Sequence, residues 1–452
     1  MSEHPREEPR HGPGSAAGRD RAGRAERSRG GAAPEWTGER AERHIGSLEL
    51  FGMRFGLDRM RRMMTVLGAP ERRLQTVHVV GTNGKSSTTR MIAAILQRHG
   101  LRTGAYLSPH LISYAERVQV GERDLDERQF AAAVARAAAA AERVNRTLGE
   151  DDHVTQFELL TAAALSALAD ADVQVAAIEA GLGGRFDATS VIASSVTVLT
   201  NVGLEHTRWL GPTVADIATE KLAVLRPGTE LVLGADPDPV VLELARAIAV
   251  ERDAALRIAP PQPRTVRAPR AAGSFQQRNF ALAELAAERY LASVGLELRA
   301  DAVRDAAAAT EVPGRAQTLP GAPLTVLDGA HNPDAVTALL ASLPELVGRR
   351  PLALVMGVLE DKDAAAMLAL LLPVCACAWF TAPPSKRALS PAALQSLARQ
   401  LGFEEVVCTA QPLRALAQAR AWAAEQQDAA VLLTGSVYLV GAVLADAEAG
   451  AR

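Results

Sequence analysis

The chain has 452 residues, 48% of them apolar and 22% charged, with a net charge of −3. That is the composition of a globular protein with a large core, and it gives no reason to expect a nucleic acid or an anionic membrane as partner. Three cysteines, Cys375, Cys377 and Cys408, build no disulfide framework; the C-x-C pair lacks further Cys or His at zinc spacing and reads as small core residues.

Residues 1–44 are rich in Arg, Gly, Pro and Glu and almost free of large aliphatics. Such a segment cannot bury enough surface to offset its ordering entropy, which predicts a disordered tail. The interspersed Glu3, Glu7, Glu8, Glu26, Glu39 and Glu42 argue against an organelle transit peptide, a class that is acid-poor. No signal-peptide apolar segment follows the start, and no apolar run reaches the ~18–20 residues that span a bilayer. The expectation is a cytoplasmic protein.

From about residue 46 short apolar runs alternate with helical stretches. Strands are predicted at Thr76–Val80, Thr103–Leu107, Val173–Ile178, Ser195–Thr200 and Glu230–Leu233. Helices are predicted over Ser87–His99, Asp126–Asn145 and Phe157–Ala169. The alternation implies right-handed βαβ crossovers and a mostly parallel sheet. A second series of strands follows at Leu324–Leu327, Leu352–Met356, Cys377–Thr381 and Ala430–Leu433. A helical stretch ends at Val312-Pro313-Gly314, which places the join there. The fold class is therefore α/β. It comprises an N-terminal, P-loop-type, mostly parallel sheet domain over 45–311 and a smaller, Rossmann-like C-terminal α/β domain over 312–452, with a cleft between them.

The sharpest local signal is Thr76-Val77-His78-Val79-Val80-Gly81-Thr82-Asn83-Gly84-Lys85-Ser86-Ser87-Thr88. A β-branched strand enters a glycine-bearing turn, followed by a lysine, hydroxyl residues and a helix. Gly81 and Gly84 let the backbone turn tightly and aim its N–H groups at phosphate. The helix N-terminus adds partial positive charge, and Lys85 supplies a full one for the outer phosphates. Ser86 or Ser87 can help hold Mg²⁺. The G-x-x-x-x-G-K spacing would need Gly in place of Val79, so the loop speaks against ordinary small kinases and GTPases.

Parallel sheets bind ligands at the carboxyl ends of their strands. Here one strand runs into Ser108-Pro109-His110-Leu111, another into Glu179-Ala180-Gly181-Leu182-Gly183-Gly184-Arg185, and a third into Asn201-Val202-Gly203-Leu204-Glu205-His206. A hydroxyl, a carboxylate and an imidazole would then converge near a triphosphate. Glu179 is the natural Mg²⁺ ligand, because hard cations take oxygen donors. His110 and Glu205 compete for the same roles. Taken singly, a Ser before Pro is usually a turn residue, and a strand-end Glu or a loop His usually serves structure. Recurrence beside a phosphate loop shifts the balance. Lys221, in the helical stretch Asp216–Leu225, reads on its own as a surface lysine.

Together these pieces resemble the folylpolyglutamate synthase family, within the wider ATP-dependent Mur ligases. The most specific are E-A-G-L-G-G-R-F-D-A-T over Glu179–Thr189 and D-G-A-H-N-P over Asp328–Pro333. Leu204–Gly211, Glu220-Lys221, Pro313-Gly314-Arg315, Met356–Asp363 and Thr434–Gly441 follow in order, and the resemblance runs from about Leu50 to Val443. It implies ATP held by Gly81, Thr82, Asn83, Gly84, Lys85, Ser86 and Ser87, with Asn279, Arg315 and Asp328 as further contacts. It implies Mg²⁺ on Ser108, Glu179 and His206, a carbamylated Lys221, and His331 placed over the nucleotide. A second divalent ion and a monovalent cation belong to the same expectation. The implied catalytic residues are Lys85, Lys221, His206 and His331. Thr155, Gln156, Phe157, Glu158, Phe186, Asp187 and Ala188 align with the loops that hold the pterin.

The reaction so implied is ATP-driven attachment of L-glutamate to dihydropteroate or a reduced folate, through an acyl phosphate, by a monomer. Two positions depart from the family pattern. Ser86 stands where a second glycine is usual, and Glu205 where aspartate is usual. Two other readings compete: a Mur-type ligase acting on a cell-wall precursor, and a nucleotide-binding regulatory protein without ligase activity. The G-G-R-F-D-A-T stretch favours a folate substrate. Joint retention of Lys85, Glu179, His206, Lys221, Asp328 and His331 favours an enzyme, since decayed sites lose charges that are costly to bury.

Overall fold

The computed structural model describes residues 36–48, 56–426 and 428–451. Helices α1 (Gly38–Ser47) and α2 (Asp58–Val66) come first. The first sheet follows, with β1 (Gln75–Val80), α3 (Lys85–Arg98), β2 (Thr103–Tyr106), β3 (Val118–Val120), β4 (Arg123–Asp124), α4 (Glu127–Asn145), α5 (Gln156–Asp170) and β5 (Val175–Glu179). It continues through β6 (Val196–Leu199), α6 (Thr207–Leu210), α7 (Val214–Leu222), β7 (Glu230–Leu233), α8 (Pro239–Glu251) and β8 (Ala255–Ile258). Its order is β4-β3-β2-β5-β1-β6-β7-β8, parallel except where β3 pairs antiparallel with β2 and β4.

Two helices, α9 (Ser274–Ser293) and α10 (Ala300–Ala309), precede the second sheet. That part runs β9 (Gln317–Leu319), β10 (Leu324–Leu327), α11 (Pro333–Val347), β11 (Leu352–Met356), α12 (Ala364–Leu371), β12 (Cys377–Phe380), α13 (Pro391–Gln400), β13 (Val406–Cys408), α14 (Pro412–Glu425), β14 (Ala430–Thr434) and α15 (Val437–Ala451). The order is β13-β12-β11-β14-β10-β9, with β9 antiparallel at the edge.

Strand β1 lies at the centre of the first sheet because its run Val77–Val80 is buried on both faces, as a parallel strand flanked by helices must be. It pairs with β5 on one side and β6 on the other. The chain leaves β1 toward β2 on one side and passes from β5 to β6 across it, so strand order reverses at the carboxyl end of β1. That reversal opens the crevice in which α/β sheets bind ligands. Helix α3 covers one face through Met91, Ile92, Ile95 and Leu96 and packs against Phe280 and Ala287 of α9. Helices α4 and α5 cover the other face with alanine-rich surfaces.

The disordered tail expected over 1–44 is corrected at its end: α1 begins at Gly38, while residues 1–35 lie outside the described ones. The reason is a narrow apolar stripe that composition hides. Gly38, Ala41 and Ile45 fall on one helical face and bury against the α4–α5 layer. Thr37 caps the helix by accepting from the Arg40 N–H at 3.2 Å, and Gln156 Nε2 donates to the Ile45 carbonyl at 2.8 Å. Strands β3, β4, β8, β9 and β13 were not foreseen. They run two to four residues each and sit at or next to sheet edges, too short to show an alternating pattern.

Ile45→Ala should therefore lower the unfolding free energy by about 2–5 kcal/mol. Urea denaturation followed through Trp36 fluorescence measures it, and an unchanged midpoint would return this segment to the tail.

Candidate active site

The loop between β1 and α3 is bent by two left-handed glycines, Gly81 (φ 148°) and Gly84 (φ 80°). A Cβ on Gly84 would be strained by that φ and would lie 2.5 Å from Asn279 Oδ1, displacing Asn279 where α9 crosses the loop. The turn is braced by its neighbour strand. Thr82 N–H donates to the Asn201 carbonyl at 3.0 Å, Asn83 N–H to Asn201 Oδ1 at 2.9 Å, and Thr200 Oγ1 to the Asn83 carbonyl at 2.6 Å. Lys85 begins α3, and its Nζ donates to the carbonyls of Gly81 (3.1 Å) and Thr82 (2.9 Å).

Beside Lys85 three of the expected residues meet. Glu179 ends β5 with 1% of its surface exposed. Its Oε1 accepts from Ser86 Oγ at 2.9 Å, and its Oε2 from the Ser108 N–H at 2.9 Å. Burial pushes the Glu179 carboxyl up, and the Lys85 charge opposes that shift. Ser86 is the position where the family pattern has glycine. Its hydroxyl adds an oxygen donor pinned against Glu179.

Lys221 is not a surface residue. It is 4% exposed, and its Nζ donates to the Gly81 carbonyl at 2.7 Å. Burial, helped by the Lys85 charge, pushes its pKa down to about 7. A signal for this was present in the sequence. Lys221 follows Ile217 and Ala218 by four and three residues on α7, which puts it on their buried face.

His206 adopts a left-handed φ of 53° ahead of the short α6. It lines the same cavity as Ser108 and Glu179, but its Nε2 lies 3.8 Å from Glu205 Oε1. Burial pushes its pKa down to about 4. Among the described residues no three His, Cys, Asp or Glu side chains gather closely enough to hold a metal ion by themselves. The oxygen donors of Ser86, Ser108 and Glu179 nevertheless suit Mg²⁺, which keeps most of its shell for water and phosphate oxygens.

The second sheet supplies the opposite wall of this cavity of about 230 Å³, through Arg315, Asp328 and His331. Asp328 is 3% exposed and accepts from the N–H groups of Ala316 (2.8 Å) and Ala330 (2.7 Å), so it locks the turn that carries Arg315 against the turn that carries His331. Burial pushes its carboxyl up, against the Arg315 charge. His331 Nδ1 lies 2.8 Å from the Gly329 carbonyl, and Nε2 lies 3.4 Å from Glu205 Oε1. Asn279 lines the cavity from α9.

Two contacts that sequence reasoning missed cross between the sheets. Asn83 and Asn332 exchange side-chain amide hydrogen bonds at 3.2 and 3.0 Å. Lys362 Nζ donates to Glu205 Oε1 at 2.8 Å. Burial would raise the Glu205 carboxyl, but the hydrogen bond from His331 and the Lys362 charge outweigh it and hold the group well below the usual carboxylate range. Asn332 reads in sequence as a helix cap before Pro333, a role it also fills by accepting from the Ala335 N–H at 2.8 Å.

The seven residues expected around a pterin lie apart from this cavity's lining. Thr155 and Glu158 form the capping box of α5. Glu158 also pairs with Arg59 at 3.0 Å, and Gln156 is spent on Ile45. Asp187 accepts from the Leu182 N–H at 2.7 Å and the Thr189 N–H at 3.0 Å, and Ala188 is buried. Phe157 packs against Gly181 at the cavity edge, and Phe186 is 44% exposed.

Residues 79–247 match the Mur ligase middle domain, and residues 314–437 match the Mur ligase, glutamate ligase domain. The chain is 32% identical over 415 residues to folylpolyglutamate synthase of Lacticaseibacillus casei, covering 85% of this chain and 93% of that protein. It is 32% identical over 414 residues to dihydrofolate synthase/folylpolyglutamate synthase of Escherichia coli, covering 86% and 90%. In three dimensions it superposes on Mycobacterium tuberculosis folylpolyglutamate synthase complexed with ADP, with TM-score 0.84, 30% identity, and 90% and 97% of the two chains covered. Escherichia coli FolC in complex with DHPP and ADP gives TM-score 0.80 at 28% identity over 92% and 99%.

The buried lysine generates a pH test. Between the folded pKa of about 7 and the ordinary 10.5, the unfolded chain binds a proton that the folded chain does not, so this site costs stability as pH falls through that window. In bicarbonate-free buffer Lys221→Met should stabilise the protein at pH 7 by on the order of a few kcal/mol. The gain should shrink toward pH 10.5. Thermal midpoints across that range check it, and a pH-independent difference would refute it.

Proposed function

The chain belongs to the folylpolyglutamate synthase/dihydrofolate synthase family of Mur ligases, ATP-dependent acid–amino-acid ligases, and from that premise we propose that it joins L-glutamate to dihydropteroate, to a reduced folate, or to both. The observation that carries this reading is the meeting of Ser86, Ser108 and Glu179 beside Lys85, with Arg315 and His331 facing them from the second sheet.

The N–H groups of the 81–87 loop and the start of α3 receive the triphosphate, and Lys85 moves from its own loop carbonyls onto the outer phosphate. The acceptor's carboxylate attacks the γ-phosphorus in line; ADP leaves and an acyl phosphate forms. Lys85 and Arg315 spread the charge on the transferring group. The neutral amine of glutamate then attacks the acyl carbonyl. The C–O bond to phosphate breaks, and a proton is released as the amide forms. Mg²⁺ held by Ser86, Ser108 and Glu179, with His206 completing the set, would draw negative charge from the phosphate oxygens. His331 sits where it can orient the transferred group. The Asn83–Asn332 and Glu205–Lys362 contacts draw the walls together and keep water from the acyl phosphate.

Lys221 has a sizeable neutral population near pH 7, which is the form that adds carbon dioxide with loss of a proton to give a carbamate. Such a carbamate near His206 would offer an anionic oxygen ligand to a second divalent ion. No helix among the described residues is long and apolar enough to cross a membrane. The protein is proposed to act in the cytoplasm as a monomer.

Purified protein with MgATP, L-glutamate and dihydropteroate or tetrahydrofolate should release phosphate in step with amide formation. Release only with UDP-sugar peptides would replace the folate reading by a cell-wall one, and no release with any acceptor would leave a nucleotide-binding protein. Lys85→Ala should lower kcat/KM at least about a hundredfold with the circular dichroism spectrum unchanged; near-normal turnover would remove Lys85 from the mechanism. With ¹³C-bicarbonate the protein should show a carbamate carbon resonance that Lys221→Ala abolishes.

A further inference from the structure

We infer that Glu205 is a positioning residue of this ligase: its carboxylate fastens Lys362 and His331 of the second sheet to the loop carrying His206, and so fixes the His331 ring across the cleft from the phosphate loop. The inference rests on the ligase reading above. Glu205 follows β6 at the cavity wall, with its side chain 12% exposed. One oxygen, Oε1, lies 2.8 Å from Lys362 Nζ and 3.4 Å from His331 Nε2. The His331 ring is thereby gripped at both ends. Its Nδ1 faces the Gly329 carbonyl at 2.8 Å, and a carbonyl only accepts, so that nitrogen donates; Nε2 then donates to Glu205 when the ring carries both protons.

Lys362 is 11% exposed, and its other carboxylate neighbour, Asp361, is farther away at 3.7 Å. The lysine sits in the loop after β11 and His331 in the loop after β10, so one carboxylate collects two strand ends of the second sheet. Chain length matters here. An aspartate would be shorter by one carbon–carbon bond, about 1.5 Å. That takes the 2.8 Å contact with Lys362 beyond hydrogen-bond reach. The glutamate that departs from the family's aspartate is what spans this cleft. Removing one member of a desolvated charged junction leaves the others buried and unpaired, so the effect on alignment exceeds that of a surface ion pair.

The test uses Glu205→Gln, Glu205→Asp, Lys362→Met, the Glu205→Gln/Lys362→Met double variant, and the compensating pair Glu205→Asp/Lys362→Arg, all in the full chain. Glu205→Gln and Glu205→Asp should each lower kcat about tenfold or more. Affinity for a non-hydrolysable ATP analogue should stay within about twofold of the parent, a split between binding and turnover that general destabilisation would not give. The double Gln/Met variant should be no worse than the poorer single, because both act through one junction. The Asp/Arg pair should recover most of the loss, since arginine restores the lost length. Amide exchange over residues 329–334 should quicken in Glu205→Gln. Losses that multiply in the double variant, or a kcat that Glu205→Gln leaves unchanged, would overturn the inference. Should the parent protein be inactive with every acceptor, the ligase reading fails by itself, and the exchange of 329–334 then decides: equal rates in parent and Glu205→Gln sink the junction.

Discussion

Glu179 ends β5 with its carboxylate almost wholly removed from water, and a charge so placed is tenable only if its oxygens are paired. Ser86 supplies one partner from the first turn of α3, the backbone of Ser108 supplies the other from the loop after β2, and the Lys85 charge lies close enough to oppose the effect of burial. Two other strand–loop units, those after β1 and after β2, are therefore bound to one side chain at the end of a third. Satisfying it is the same act as assembling the pocket, which is why the hydroxyl at Ser86 is compatible with the site. The oxygen-rich corner needs a donor there, and serine provides one where glycine provides none.

The second sheet is joined to this corner by polar contacts. Asn83 with Asn332 and Glu205 with Lys362 cross the cleft, while Asp328 stiffens the turns that present Arg315 and His331. Polar bridges suit a cleft that must admit and release highly charged molecules. They can be exchanged for water or phosphate at small net free energy, whereas an apolar seam would resist opening.

The first sheet's core strands were legible in sequence because each is a short β-branched or aliphatic run buried on both faces, as Val77–Val80 shows. The phosphate loop was legible because glycine, lysine and hydroxyls each have a separate physical job at fixed spacing. Ser108 and Glu179 could be placed together by their positions at strand ends. What stayed hidden depends on tertiary neighbours. Lys221 is buried by the sheet beneath α7, although its spacing from Ile217 and Ala218 carried a hint. Helix α1 was obscured because its stripe of Gly38, Ala41 and Ile45 is too thin to outweigh a charged composition. The reach of Glu205 to Lys362 joins residues separated by 157 positions, and no local pattern encodes such a pair.

Helix α9 touches both halves of the site. Its flank packs on α3, whose first turn carries Lys85, and its Asn279 leans against Gly84; its first turn is joined to α11 through Ser274, whose N–H donates to Ser342 Oγ at 3.0 Å. Immediately before it, Gly273 holds φ 96°, where the missing side chain leaves room beside Ser342. The wall that follows His331 into α11 is therefore tied to the phosphate loop by two routes, the polar contacts across the cleft and the spine of α9 behind it.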